Sequence, residues 1–131
     1  MEHRPSESLT WAAAPPDNFT GQVWFGPLSA VPGALNALGV LFAPGARTAW
    51  HSHPDGQVLY VVSGAGKVQT RAGETVVVGP GDVVYSPPGE MHWHGSTPSS
   101  FMMHLSLTTG GATEWTPEMV VDSDYLREPG D

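Results

Sequence analysis

The sequence predicts an all-β fold, a barrel or sandwich of short antiparallel strands. Three observations lead there. Sixteen Gly and thirteen Pro interrupt 131 residues at close intervals. The apolar runs between these breaks are short, rich in Val and Leu, and often alternate with polar residues, as half-buried strands do. No stretch in the middle of the chain carries a helical period.

Residues 1–18 are polar and hold Pro5, Pro15 and Pro16, which predicts a loosely held arm able to cover a sheet edge. Residues 19–25 read as a first strand stopped by Gly26-Pro27, and residues 28–34 as a loop. Residues 35–42 alternate, with Leu38, Val40 and Phe42 on one face, before a turn at Pro44-Gly45. Residues 49–53 are extended. Residues 57–63 form a β-branched run stopped by Gly64-Ala65-Gly66, and residues 67–71 are expected to pair back across that turn. Strands at 74–78, 83–86, 91–95 and 101–108 follow, each ended by Gly, Pro or both. That makes about eight to ten short strands in one domain spanning residues 1–131. Asp122 or Ser123 would cap a short terminal helix reaching Leu126.

Composition excludes several functions. The formal net charge of -8 argues against nucleic acid and anionic membrane as partners, since both need a basic face. With no cysteine there is no disulfide, thiolate nucleophile or sulfur metal site. No apolar segment approaches membrane-spanning length or follows a basic leader, so a cytoplasmic protein is expected. Gly64-Ala65-Gly66 lacks the glycines and following helix of a phosphate loop, and no serine sits in a nucleophile elbow. The charged fraction is 14%, against ~25% in ordinary soluble domains. Such a surface suits partial cover by another subunit, and a homodimer or higher homo-oligomer is expected.

The chemistry concentrates in residues 45–96. Four of the six histidines lie there as two His-x-His pairs, His51 with His53 and His92 with His94. On a strand, alternate residues share a face, so each pair can look into one cavity. Neutral imidazole is the commonest protein metal ligand, and two inward pairs from separate strands suit a mononuclear site.

The spacing of these residues resembles the cupin family. Gly45, His51, His53 and Gly64 stand at the fixed places of its first motif, with Gln57 where Glu is expected. Gly81, Pro87, Gly89 and His92 match the second, with Ser96 at the Asn place. The fold this implies is the double-stranded β-helix, or jelly-roll barrel. A finer resemblance is to small single-domain cupins that act as manganese-dependent hydroxynitrile lyases. It rests on residues 44–51, His53-Pro54, Gly56-Gln57, residues 81–84, Pro88-Gly89-Glu90, residues 92–95 and Met103-His104-Leu105.

The resemblance implies His51, His53, Gln57 and His92 as metal ligands. A divalent metal is expected, manganese first, with iron, zinc, nickel and cobalt also compatible with nitrogen and oxygen donors. A neutral amide in place of a carboxylate leaves the full charge of the ion uncompensated, which makes a better Lewis acid and anion holder. His94 and His104 are expected beside the ligands as general acid and base. Thr48 would hydrogen-bond a substrate oxygen. Leu38, Val40, Phe42, Val61 and Met102 would line an apolar pocket, with Trp50 a further candidate, while Trp93 would face out of the barrel. The activity implied is cleavage and formation of a cyanohydrin carbon–carbon bond in a small-molecule substrate. Two other functions fit the same ligands: a three-histidine iron oxygenase and a non-enzymatic small-ligand binder.

Overall fold

The computed structural model describes residues 1–28 and 35–131. The loop expected at 28–34 therefore lies, past Leu28, outside the described residues. Among those described, the strands are β1 (Ala12–Ala13), β2 (Phe19–Thr20), β3 (Val23–Pro27), β4 (Asn36–Phe42), β5 (Arg47–Thr48), β6 (His51–Ser52) and β7 (Gln57–Gly64). Then come β8 (Gly66–Thr70), β9 (Thr75–Val78), β10 (Val83–Ser86), β11 (His92–Ser96), β12 (Met102–Thr108) and β13 (Glu114–Trp115), followed by the short helix α1 (Asp122–Tyr125).

The strands form two antiparallel sheets. One has the order β1-β3-β4-β12-β7-β10. In the other, β11 is central, with β8 and then β9 on one side. On its other side β5 and β6 lie end to end, backed by β2 and β13. Between the sheets lies a core of Val40, Phe42, Leu59, Val61, Val68, Val78 and Met102, among others. The alternation read from the sequence holds in the first sheet apart from a register shift between Met103 and His104 in the β12–β7 pairing. Asn36, Leu38, Val40 and Phe42 of β4 stand opposite Thr108, Ser106, His104 and Met102 of β12, all facing inward. The outward positions are Ala37, Gly39 and Leu41 on β4, Met103, Leu105 and Leu107 on β12, Val58, Tyr60 and Val62 on β7, and Val83 and Tyr85 on β10.

Three local expectations are corrected. The single strand expected at 19–25 is two strands in different sheets, parted at Gly21, whose φ of 79° only glycine adopts readily. Residues 66–70 do not pair back onto β7; β8 pairs with β11 and β9. The reason is a corner rather than a hairpin at Gly64-Ala65-Gly66. Gly64 has φ 81°, and a Cβ there would run into the Phe101 carbonyl, so the chain crosses between sheets in close contact with β12. At the terminal helix, the N-cap is Val121 and no side chain caps it. Asp122 instead accepts a hydrogen bond at 2.9 Å from Arg47 Nη2.

Residues 116–127 cross the outer face of the second sheet. Trp93 points out of the barrel, as expected, yet is fully buried, because Val120, Tyr125 and Trp50 pack over it. Trp50 thus belongs to this outer cluster and not to the pocket. Two buried cations fasten the segment. Arg47 donates to the Val120 carbonyl and lies 4.2 Å from the Tyr125 ring centre. Lys67 donates to the carbonyls of Tyr125 and Arg127, each at 2.6 Å. The Tyr125 hydroxyl donates to the Ser96 carbonyl at 2.7 Å. The strand that carries His92 and His94 is therefore held from behind.

Candidate metal centre and pocket

His51, His53 and His92 come together from β6, the turn after it and β11. One ring nitrogen of each lies within 4.8 Å of the other two. His51 and His92 stand directly opposite in the β6–β11 pairing. Their orientation is set by the backbone. His51 Nδ1 is 2.9 Å from the Ala49 carbonyl, and His92 Nδ1 is 2.9 Å from the Glu90 carbonyl. A carbonyl only accepts, so each Nδ1 carries the proton and each Nε2 keeps a bare lone pair. His53 Nδ1 lies 3.4 Å from Thr113 Oγ1, and its buried Nε2 has no partner.

Gln57 completes the cluster. Its Nε2 donates to Ser106 Oγ at 2.9 Å, which turns Oε1 toward His92 Nε2 at 3.2 Å. In that orientation two acceptors face each other beside a third bare nitrogen. A cation is the species that satisfies all of them at once, so the donor set fits a divalent metal with mixed nitrogen and oxygen ligands.

Burial keeps these imidazoles neutral. Desolvation, with repulsion from His92 second, lowers His53 to about 4. Desolvation likewise holds His51 well below the ordinary value and lowers His92. Neutral rings are the form a metal requires.

His94 and His104 lie behind and beside the cluster. His94 lines the cavity, and its ring centre is 5.6 Å from that of His92. His104 is fully buried and lies 3.0 Å from His94, Nε2 to Nδ1. It does not line the cavity and reaches it only through His94. Burial pushes His104 down to about 3, and burial with repulsion from His104 holds His94 well below its usual value. The His94 Nε2 and His104 Nδ1 atoms are buried without partners. Thr48 also lines the cavity, its Oγ1 accepting from the His94 backbone N–H at 3.3 Å. Its own hydroxyl proton remains available to a bound molecule.

The cavity holds about 230 Å³ and opens between the sheets. An apolar cavity of ~150 Å³ accepts benzene, so one aromatic ring with a small substituent fits. Leu38 and Val40 line it as expected. Phe42, Val61 and Met102 do not; they sit in the closed core, and Phe42 packs against His94 and His104 at 5.9 and 5.3 Å. Phe42 and Met102 pair one inward position beyond Val40 and His104, whereas Val61 stands opposite His104 and is closed into the core at that level, neither of which alternation alone reveals. Instead, Phe19, Phe25 and Trp115 form an aromatic wall, with Phe19 5.5 Å from each of the other two. The Trp115 ring lies 4.6 Å from His51. Ser106, on the face shared with His104, could have been read from the alternation of β12. Trp115 could not, because a two-residue strand has no period to detect.

Comparison with known proteins gives concordant matches. A family model described as the cupin domain matches residues 40–107. An (R)-mandelonitrile lyase of Granulicella tundricola is 43% identical over 132 residues, spanning 97% of this chain and 100% of that protein. A cupin-like protein from Thermotoga maritima is 38% identical, with a TM-score of 0.83 over 87% of this chain and 90% of that one. A polyketide cyclase from Streptomyces resistomycificus, at 18% identity, shares the fold with a TM-score of 0.77 over 95% of this chain and 90% of that one.

Proposed function

The chain belongs to the cupin family, and from that membership we propose that it is a manganese-dependent lyase that breaks and re-forms the carbon–carbon bond of an aromatic cyanohydrin. The observation that carries this reading is His94. Its unpartnered Nε2 is buried beside the cluster of three histidines, and holding a metal does not account for it. The likeness to a mandelonitrile lyase and the aromatic wall of Phe19, Phe25 and Trp115 support the choice of substrate class.

When bound, the metal supplies a concentrated positive charge that favours an oxyanion or cyanide in the cavity. His51, His53, His92 and the Gln57 amide would hold it. The remaining chemistry is one proton. In cleavage, His94 Nε2 takes the hydroxyl proton of the cyanohydrin. The carbonyl forms, the C–CN bond breaks, and its electron pair leaves on cyanide. The proton on His94 then passes to cyanide, giving hydrogen cyanide and the aldehyde. For His94 Nε2 to be bare, its Nδ1 must carry the proton and donate it to His104 Nε2. His104 thus selects the tautomer and steadies the positive ring. Thr48 orients the substrate oxygen by donating its hydroxyl proton.

Release of cyanide from an aromatic cyanohydrin by the manganese-loaded protein, measured with and without oxygen, tests the reading. Equal rates in both atmospheres, lost on chelation, are expected. Turnover only with iron and only with oxygen consumption would replace it with an oxygenase. Ligand binding without turnover in any metal form would leave a binding protein.

A further inference from the structure

Ser106 of β12 lines the cavity one inward position from His104, opposite Leu38 of β4. Its Oγ accepts from Gln57 Nε2 at 2.9 Å, and that bond occupies one lone pair. The hydroxyl proton is left over. Among the described residues no acceptor takes it, so it is available to a molecule in the cavity. Gln57 joins this hydroxyl to the histidine cluster, since its Oε1 faces His92 Nε2. A positive charge at Oε1 polarises the amide, strengthens Nε2–H as a donor, and so makes the Ser106 O–H a stronger donor in turn. Neither the holding of a metal nor the proton on His94 uses this last donor.

We propose that Ser106 is a further catalytic residue, the donor that holds the nitrile nitrogen of the cyanohydrin and then of the departing cyanide; this rests on the lyase reading above. A cyanohydrin carries its hydroxyl and its nitrile on one carbon. The hydroxyl is met by His94 and Thr48, which enter from the second sheet. Ser106 enters from the first, so the nitrile points across the cavity while the ring rests on Phe19, Phe25 and Trp115. A nitrile nitrogen only accepts, and it needs a donor near His94. Ser106 lies about 7 Å along β12 from His104, whose ring touches His94. Thr108 and Asn36 also line the cavity, but they stand a further ~7 Å along their strands. Thr113 Oγ1 lies against His53. As the C–CN bond breaks, its electron pair stays on the cyanide carbon, and the negative charge is shared with the nitrogen. Ser106 keeps its own proton and donates a hydrogen bond that tightens with that charge. The carbon lone pair is left facing the cavity, where it takes the proton from His94.

The test binds two fragments to the metal-loaded full chain, each by titration calorimetry. Phenylacetonitrile keeps the ring and the nitrile, and benzyl alcohol keeps the ring and the hydroxyl. Ser106→Ala should weaken phenylacetonitrile about 3–10-fold, the usual strength of one neutral hydrogen bond, and leave benzyl alcohol unchanged at equal metal content. The nitrile stretching band of bound phenylacetonitrile should stand at its hydrogen-bonded position in wild type and revert in Ser106→Ala. Ser106→Thr, which keeps the hydroxyl, should restore both. With an aromatic cyanohydrin, Ser106→Ala should lower kcat about 10–100-fold, because a hydrogen bond to a charged acceptor is stronger than one to a neutral nitrile. Equal weakening of both fragments, or a fall in metal content that accounts for the whole loss, would reduce Ser106 to a support of Gln57 and overturn the proposal. Unchanged affinity and band position in Ser106→Ala would overturn it too, and cyanide release by wild type would then keep the lyase reading standing. A Ser106-dependent nitrile band in a protein that releases no cyanide would support the nitrile site and strike the lyase reading alone.

Discussion

His94 Nδ1 stands 3.0 Å from His104 Nε2, with both rings buried and only His94 reaching the cavity. The two rings therefore do different work in the proposed reaction. His94→Ala removes the base and should lower kcat by about 10²–10⁴-fold, the usual contribution of a positioned base. His104→Ala should lower kcat less, with KM nearly unchanged, and His104→Gln should recover part of the loss by restoring a hydrogen-bond partner. Steady-state kinetics of the three variants at matched metal content decide. Equal loss in kcat and KM for His104→Ala, with no recovery in Gln, would reduce His104 to a core residue.

Replacing Gln57 by Glu places a negative charge against the three histidines. Binding of azide or cyanide to the metal-loaded protein should weaken. At a separation of ~4 Å the added repulsion is about 1–4 kcal/mol for effective dielectrics of 80 down to 20. Titration calorimetry measures it directly, and unchanged anion affinity would remove Gln57 from the ligand set.

The metal-free protein should lose stability in mild acid. Five buried imidazoles have pKa values lowered on folding, His53 to about 4 and His104 to about 3. The unfolded chain, with imidazoles near 6.5, then binds more protons than the folded one. Their stabilising effect is complete above pH 6.5 and is lost progressively as pH falls toward 3. His104 alone contributes on the order of 3 kcal/mol of loss by pH 4. Thermal melts of chelated protein between pH 4 and 8 check the sign. His104→Phe should flatten the curve, and a melting temperature that holds steady down to pH 4 would contradict the buried neutral rings.

Trp115 forms one side of the aromatic wall and also rests on His51. Aromatic pairs contribute ~0.5–1.5 kcal/mol beyond their area, so Trp115→Ala should raise KM for an aromatic cyanohydrin by up to about tenfold. An aliphatic cyanohydrin should lose much less. The ratio of the two kcat/KM values is the measurement, and an equal loss for both would assign Trp115 to the support of His51 alone.

Much of this site is legible in the chain because its chemistry is periodic. His51 with His53 and His92 with His94 declare shared faces at a spacing of two, and Gly45, Gly64, Gly81 and Gly89 mark turns through their need for positive φ. Leu38 and Val40 follow from the same alternation. Depth does not. Phe42 and Met102 share the inward face yet lie one step beyond the cavity, and Val61 is closed off behind His104's row, because alternation sorts inside from outside without saying what stands in front of a residue. Sheet membership is equally hidden. Gly64-Ala65-Gly66 looks like a hairpin turn, and only the contact with Phe101 makes it a corner. Trp115 and Thr113 reach the site through a pairing of two residues, too short to leave any signature.

The segment at residues 116–127 has a consequence for the order in which the molecule can form. Trp93 lies between His92 and His94 on β11, and its indole stays exposed until Val120 and Tyr125 arrive. Trp115 and Thr113 reach His51 and His53 only from that same late stretch of chain. During synthesis, then, the histidines emerge well before the parts that steady them. The metal cluster should mature as one of the last events of folding rather than as its nucleus. Pulse-labelled hydrogen exchange during refolding would show the Trp93 indole N–H gaining protection in the same phase as the Tyr125 amide, and protection of that indole well ahead of Tyr125 would refute the order. With that order, metal uptake would report the arrival of Thr113 and Trp115 beside the histidines, and nascent fragments released before them would not hold the ion.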